Sequence, residues 1–114
     1  DVFEGKVKEM MPLFHRSRAD VIHVETANMG FVELDALRAF PKNKVLGIGV
    51  VDSKNTMVES PELIADRIRK GLQVVPPDRL LVSPDCGLGY FSRSVAYGKL
   101  RAMGEATRRV RASL

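Results

Sequence analysis

Three short aliphatic runs alternate with four stretches of helical periodicity, and that alternation leaves few folds open. The runs are Val21-Ile22-His23-Val24-Glu25, Val45 to Val51, and Leu80-Leu81-Val82. Around them, apolar residues recur at helical spacing. Val7, Met10, Met11 and Phe14 mark a helix over 4–17, and Leu34 and Leu37 a short one over 31–39. Ile64, Ile68 and Leu72 mark a third over 60–73, and Ala96, Leu100, Met103, Ala106 and Val110 a fourth over 94–112. Ser60-Pro61-Glu62 is a strong helix start: a serine N-cap, a proline at the first helical position and an acid in the first turn. Pro41 and Pro76-Pro77-Asp78 break the chain before the second and third runs. The order αβαβαβα with short connections implies parallel strands joined by right-handed crossovers.

Composition narrows the function classes. With 114 residues, 45% hydrophobic and 28% charged, the chain has enough apolar surface for one domain with a modest core. No run approaches the ~20 apolar residues of a membrane helix. Asp1-Val2-Phe3-Glu4-Gly5-Lys6 has no basic n-region and no apolar h-region, so no signal peptide is read. A single cysteine forms no internal disulfide and suits a reducing, cytoplasmic setting. With no initiator methionine, the chain is read as beginning partway through a larger protein. Its net charge of +4 comes largely from Lys99, Arg101, Arg108, Arg109 and Arg111 near the C-terminus. Those cations are read as a solvated helix face that complements the helix dipole. Aromatics at 6% and the lack of any recognition motif argue against nucleic-acid binding.

In parallel α/β folds the loops after the strands build the site. Here those loops are Glu25–Gly30, Asp52–Glu59 and Asp85–Arg93, and each begins with a residue able to bind a metal or transfer a proton. Strand alternation sets Val21, His23 and Glu25 on one face and Ile22 and Val24 on the other. A carboxylate at a buried strand end needs a partner, either a neighbouring cation or a functional group. Cys86 sits in Ser83-Pro84-Asp85-Cys86-Gly87-Leu88-Gly89, directly after the third run. It is a candidate nucleophile or metal ligand; the plainer alternative is a small buried apolar residue. Glu25 and Cys86 are both acceptable zinc ligands, but zinc wants four, or three with one position open. His23 lies two residues deeper and reads as a satisfied interior histidine, and His15 reads as surface.

These segments come in the order and at roughly the spacing of the C-terminal catalytic barrel of the cobalamin-independent methionine synthase family. Val21-Ile22-His23-Val24-Glu25-Thr26, Gly47-Ile48-Gly49-Val50-Val51-Asp52 and Ser83-Pro84-Asp85-Cys86-Gly87-Leu88 carry the resemblance. Ala96-Tyr97-Gly98-Lys99-Leu100-Arg101-Ala102-Met103 also looks like that family's last helix. The resemblance implies the C-terminal section of a (β/α)8 TIM-type barrel, about three parallel strands with flanking helices, with residues 1–114 forming one partial barrel domain. It also implies a zinc ion held by a His, two Cys and a Glu, which activates the homocysteine thiol for attack on the methyl group of a methylated folate.

By position, Glu25 resembles the glutamate ligand and Cys86 the second cysteine ligand. The family's H-x-C ligand pair falls upstream of this chain. Lys54 stands where many members carry a histidine proton donor, and Asp52 beside it is a candidate for orienting substrate. The partners implied are homocysteine, methylated folate and the missing N-terminal part of the barrel. A second copy is expected to associate through the exposed sheet edges. Three other readings stand beside this one. One is a related zinc thiol methyltransferase that uses a cobamide methyl donor or coenzyme M. Another is a truncated, non-catalytic fragment, and the last is a basic interaction module on the final helix.

Overall fold

Val45 to Val51 has no polar side chain, so it fits only where both faces are covered, at the centre of a sheet. The computed structural model, which describes residues 7–28, 31 and 34–114, places it there. Strand β2 (Val45–Val51) lies between β1 (Val21–Val24) and β3 (Leu80–Pro84), and both pairings are parallel. Val24 stands opposite Ile48, and Gly49 opposite Ser83. The register shifts between Gly49 and Val51, as a bulge does, and Val50 and Val51 are both fully buried there.

Helix α1 (Val7–Arg16) precedes β1, α2 (Pro61–Leu72) joins β2 to β3, and α3 (Arg93–Ala112) follows β3. Ile64, Ala65 and Ile68 of α2 and Ala102, Ala106 and Val110 of α3 form one core with Leu46, Ile48 and Val50. The Ser60 hydroxyl accepts a hydrogen bond from Leu63 N at 3.2 Å, and the Ser92 hydroxyl one from Val95 N at 3.4 Å, which caps both helices. Phe14 of α1 packs edge-on against Phe40, their ring centres 6.2 Å apart. The other face of the sheet carries Val21, His23 and Leu81, all exposed, and in a (β/α) barrel this is the face that looks inward. The expected architecture is present: a section of such a barrel, with parallel strands and outer helices.

Several expectations need correction. Of the helix expected over 31–39, the described residues form a single 3-10 turn, Ala36–Ala39; Val32 and Glu33 lie outside them. Phe31 has φ 61°, a left-handed conformation that cannot continue a right-handed helix. The apolar stripes of α1 and α3 would turn Met10 and Leu100 to the core, but both are exposed, while Met11 and Lys99 are buried. Lys99 is therefore no part of a solvated basic face. Cys86 is exposed rather than a buried apolar residue, and His23 is exposed in this section of the barrel, on the face that looks inward. The expected helix start at residue 4, and Met29 and Gly30 in the first loop, lie outside the described residues.

Gly49 shows how closely the carboxyl edge of the sheet is packed. A Cβ built there would overlap the Asp85 carboxylate. Gly49→Ala should therefore destabilise the protein by about 1–3 kcal/mol, the usual cost of overpacking. At Gly104 in α3, by contrast, the nearest atom is the Arg108 guanidinium at 3.7 Å. Gly104→Ala should stabilise by roughly 0.5–1 kcal/mol through helix propensity. Denaturant midpoints of the two variants, moving in opposite directions, are the check.

Candidate functional site

The parallel strands bring their three following loops to one edge of the sheet. Glu25 follows β1 directly, Asp52 follows β2 directly, and Cys86 lies two residues beyond the end of β3. Glu25 and Cys86 are both exposed at that edge. Asp85, the residue before Cys86, is only 3% exposed.

Asp85 is the first feature that reading the sequence underrated. Its place at the start of the third loop suggests a residue open to a metal or a proton, yet its side chain turns inward. Oδ1 accepts from Thr26 N at 3.1 Å and from Ala27 N at 3.0 Å, and Oδ2 accepts from Asn28 N at 2.6 Å. Burial pushes its carboxyl above the ordinary value of 3.8; the three amide donors oppose that rise, and the nearby Glu25 charge adds to it. Thr26 Oγ1 donates to Gly49 O at 2.6 Å. His23 Nε2 lies 3.2 Å from Asp85 O, which requires the ring proton on Nε2. His23 Nδ1 lies 3.4 Å from the Ser83 hydroxyl. The histidine is thus engaged through both ring nitrogens, although its ring is exposed. Strand alternation carried a signal: residues 81, 83 and 85 share a face, and the small Gly49 beside Asp85 leaves the room its carboxylate needs.

The loop after β2 is held from beneath by a buried ion network. Glu59 Oε1 accepts from Lys99 Nζ at 2.8 Å, and Oε2 accepts from Arg67 at 2.8 Å and from Asp52 N at 2.7 Å. Lys99 also donates to Met57 O at 2.7 Å and stands 5.2 Å from the centre of the Phe91 ring. Burial would raise the Glu59 carboxyl, but the bonds from Lys99, Asp52 N and Arg67 outweigh it and hold the group below the ordinary 4.5. Above this base, Asp52 Oδ1 accepts from Lys54 N at 2.8 Å, closing a turn that presents exposed Lys54. Glu59 and Lys99 were both missed as a pair, because nothing in a linear reading links positions 40 residues apart.

The donor set at the edge fits part of a zinc site. A thiol and a carboxylate stand on loops that Asp85 joins, and two further donors are needed. Among the described residues, no group of three His, Cys, Asp or Glu side chains converges on one point.

Parallel strands, outer helices and polar side chains gathered at the carboxyl edge place this chain among barrels that carry catalytic sites there. Residues 4–109 match the family model described as the catalytic domain of cobalamin-independent synthase, and the chain belongs to that family. It is 38% identical over 110 residues to a methionine synthase of Saccharolobus solfataricus, covering 96% of this chain and 33% of that protein. A methionine synthase of Thermococcus kodakarensis is 44% identical over 91 residues, 80% of this chain and 27% of that protein. A 2-hydroxypropyl-CoM lyase of Xanthobacter autotrophicus is 37% identical over 110 residues, 92% of this chain and 29% of that protein. A solved B12-independent methionine synthase from Shewanella sp. W3-18-1, in complex with selenomethionine, superposes with a TM-score of 0.86 at 30% identity. That match covers 93% of this chain and 30% of the solved one, so the chain spans about a third of the length of such relatives.

Proposed function

We propose that this chain forms the closing section of a zinc-dependent methyltransferase that makes methionine from homocysteine and a methylated folate. The observation that carries the reading is the placement of Glu25 and Cys86, the two family-like ligands, on loops joined through Asp85. Glu25 and Cys86 would hold the metal together with a histidine and a cysteine from the remainder of the barrel. Zinc there would supply Lewis acidity that favours the thiolate of a bound thiol at neutral pH. Asp52 and Lys54 belong to the neighbouring loop; Asp52 shapes the turn and orients substrate, and Lys54 is the proton donor. A reducing cytoplasm fits the exposed, unpaired Cys86. Among the described residues, no helix is long and apolar enough to cross a membrane.

The test is methionine formation by the full natural chain, with zinc measured in the same preparation. Product from homocysteine and methylated folate, with about one zinc per chain, is expected. The similarity to a 2-hydroxypropyl-CoM lyase favours one other reading, a site acting on the thiol of coenzyme M. Turnover with coenzyme M and none with homocysteine would establish that reading instead.

These 114 residues alone should be inactive and self-associating. β1 and β3 each lack a strand on their outer side among the described residues, and unpaired edges invite pairing. An apolar groove of about 510 Å³, lined by Leu72, Leu80, Val82, Met103, Val110 and Leu114, runs beside β3. The missing barrel section would cover these surfaces, and in its absence a second copy does. Sedimentation of the purified 114-residue chain should show a dimer or larger species. A monomer with one sharp unfolding transition would contradict this.

A further inference from the structure

We propose that Asp85 is the positioning residue of this edge: its buried carboxylate sets the Glu25 and Cys86 loops at the spacing a shared metal requires. The inference rests on the zinc reading above. β1 and β3 do not pair, because β2 lies between them. Their loops therefore need a tie that crosses the central strand, and the Asp85 side chain is that tie. It accepts from three consecutive backbone amides, those of Thr26, Ala27 and Asn28, which follow directly on Glu25. A carboxylate is an acceptor at every lone pair, so it can hold all three donors at once. An asparagine could not, because its amide would face Asn28 N–H donor to donor.

Three further bonds lock the same junction. Asp85 N donates to Val51 O at 2.8 Å, His23 Nε2 donates to Asp85 O, and Thr26 Oγ1 donates to Gly49 O. Gly49 has no side chain where that carboxylate lies, so β2 leaves room for the crossing. Cys86 is the next residue along the chain, and its backbone is set by that of Asp85. The arrangement has the form of a supporting group that orients metal ligands without touching the metal. Its role is distinct from that of an acid anchoring a loop for stability alone, because the anchored atoms flank both ligands.

The measurement is zinc affinity by chelator competition in the full natural chain, with cobalt(II) substitution to read the thiolate-to-cobalt absorption of Cys86. Asp85→Asn should weaken zinc binding about ten- to a hundredfold and shift or weaken that band. Thr26→Val, which removes only the Gly49 bond, should weaken binding several-fold and serves if Asp85→Asn does not fold. Ile64→Val, a core change in α2, should lower stability and leave zinc affinity within about twofold, as a purely structural role would. Asp85→Asn and Thr26→Val with wild-type zinc affinity and an unchanged cobalt band would overturn the inference and leave the zinc reading standing. A wild-type chain that takes up no zinc, or a Cys86→Ser chain that keeps it, would overturn both.

Discussion

Lys99→Met is expected to destabilise the protein by about 3–5 kcal/mol, the range for removing one member of a buried ion pair. The substitution keeps the length of the side chain and removes its charge. Glu59 is then left buried with Arg67 and the Asp52 amide as its remaining partners. Glu59→Gln should cost a comparable amount, since it removes the charge opposite the buried Lys99 ammonium and turns an NH2 group towards either Lys99 or the Arg67 and Asp52 N–H donors. The double variant should cost clearly less than the sum, because the two residues share one interaction. Chemical denaturation of the four proteins is the check, and strict additivity would contradict the pairing.

The same network gives a signed pH dependence. The folded-state pKa of Glu59 is depressed below 4.5, so its contribution is fully present above 4.5 and is lost as pH falls through the depressed folded value. Without Lys99 the largest stabilising hydrogen bond is gone and burial dominates, so the Glu59 pKa rises. In Lys99→Met acidification should therefore no longer remove a Glu59 contribution, and the stability gap between variant and wild type should narrow as pH falls. Stability profiles of the two proteins from pH 7 to pH 3 compare them directly.

Cys86→Ser should weaken zinc binding by the full natural chain roughly a hundred- to a thousandfold. Protein zinc sites of four ligands bind with about 10–16 kcal/mol, or some 2.5–4 kcal/mol per ligand, and each 1.4 kcal/mol is tenfold. A serine hydroxyl stays protonated at neutral pH and replaces a thiolate poorly. Because Cys86 is exposed and outside the core, unfolding of the metal-free chain should move by less than about 0.5 kcal/mol. Loss of metal without loss of fold is the expected signature. Stoichiometric zinc in Cys86→Ser, measured by elemental analysis, would remove the residue from the site.

The strands and long helices were legible because their signals are local. The unbroken apolar run of β2, the Ser60-Pro61 start of α2 and the alternation of β1 each depend on a few adjacent residues. The short helix over 31–39 failed for a reason also local but invisible in composition: the left-handed backbone at Phe31. The face of α3 departs from its apolar stripe at Lys99 and Leu100, because a lysine enters the core only when a buried acid waits for it. That acid, Glu59, comes from a different loop. Glu25 and Cys86 could be singled out by residue type and by their place after strands. Asp85 could not be ranked above them, since its partners are backbone amides that have no signature in sequence.

The joint between the first and third loops also bears on the order in which the chain assembles. Thr26 and Asp85 are 59 residues apart, and they meet only across a finished β2. Closing a loop of that size costs roughly 3–4 kcal/mol of chain entropy, which is offset only when the intervening parallel pairings already exist. Helices α2 and α3, with their serine caps, need no such closure and can form early. The carboxyl edge is therefore completed late in folding. A metal ion held there would register finished tertiary structure and contribute little to guiding it, in contrast to small zinc modules whose folding the ion drives.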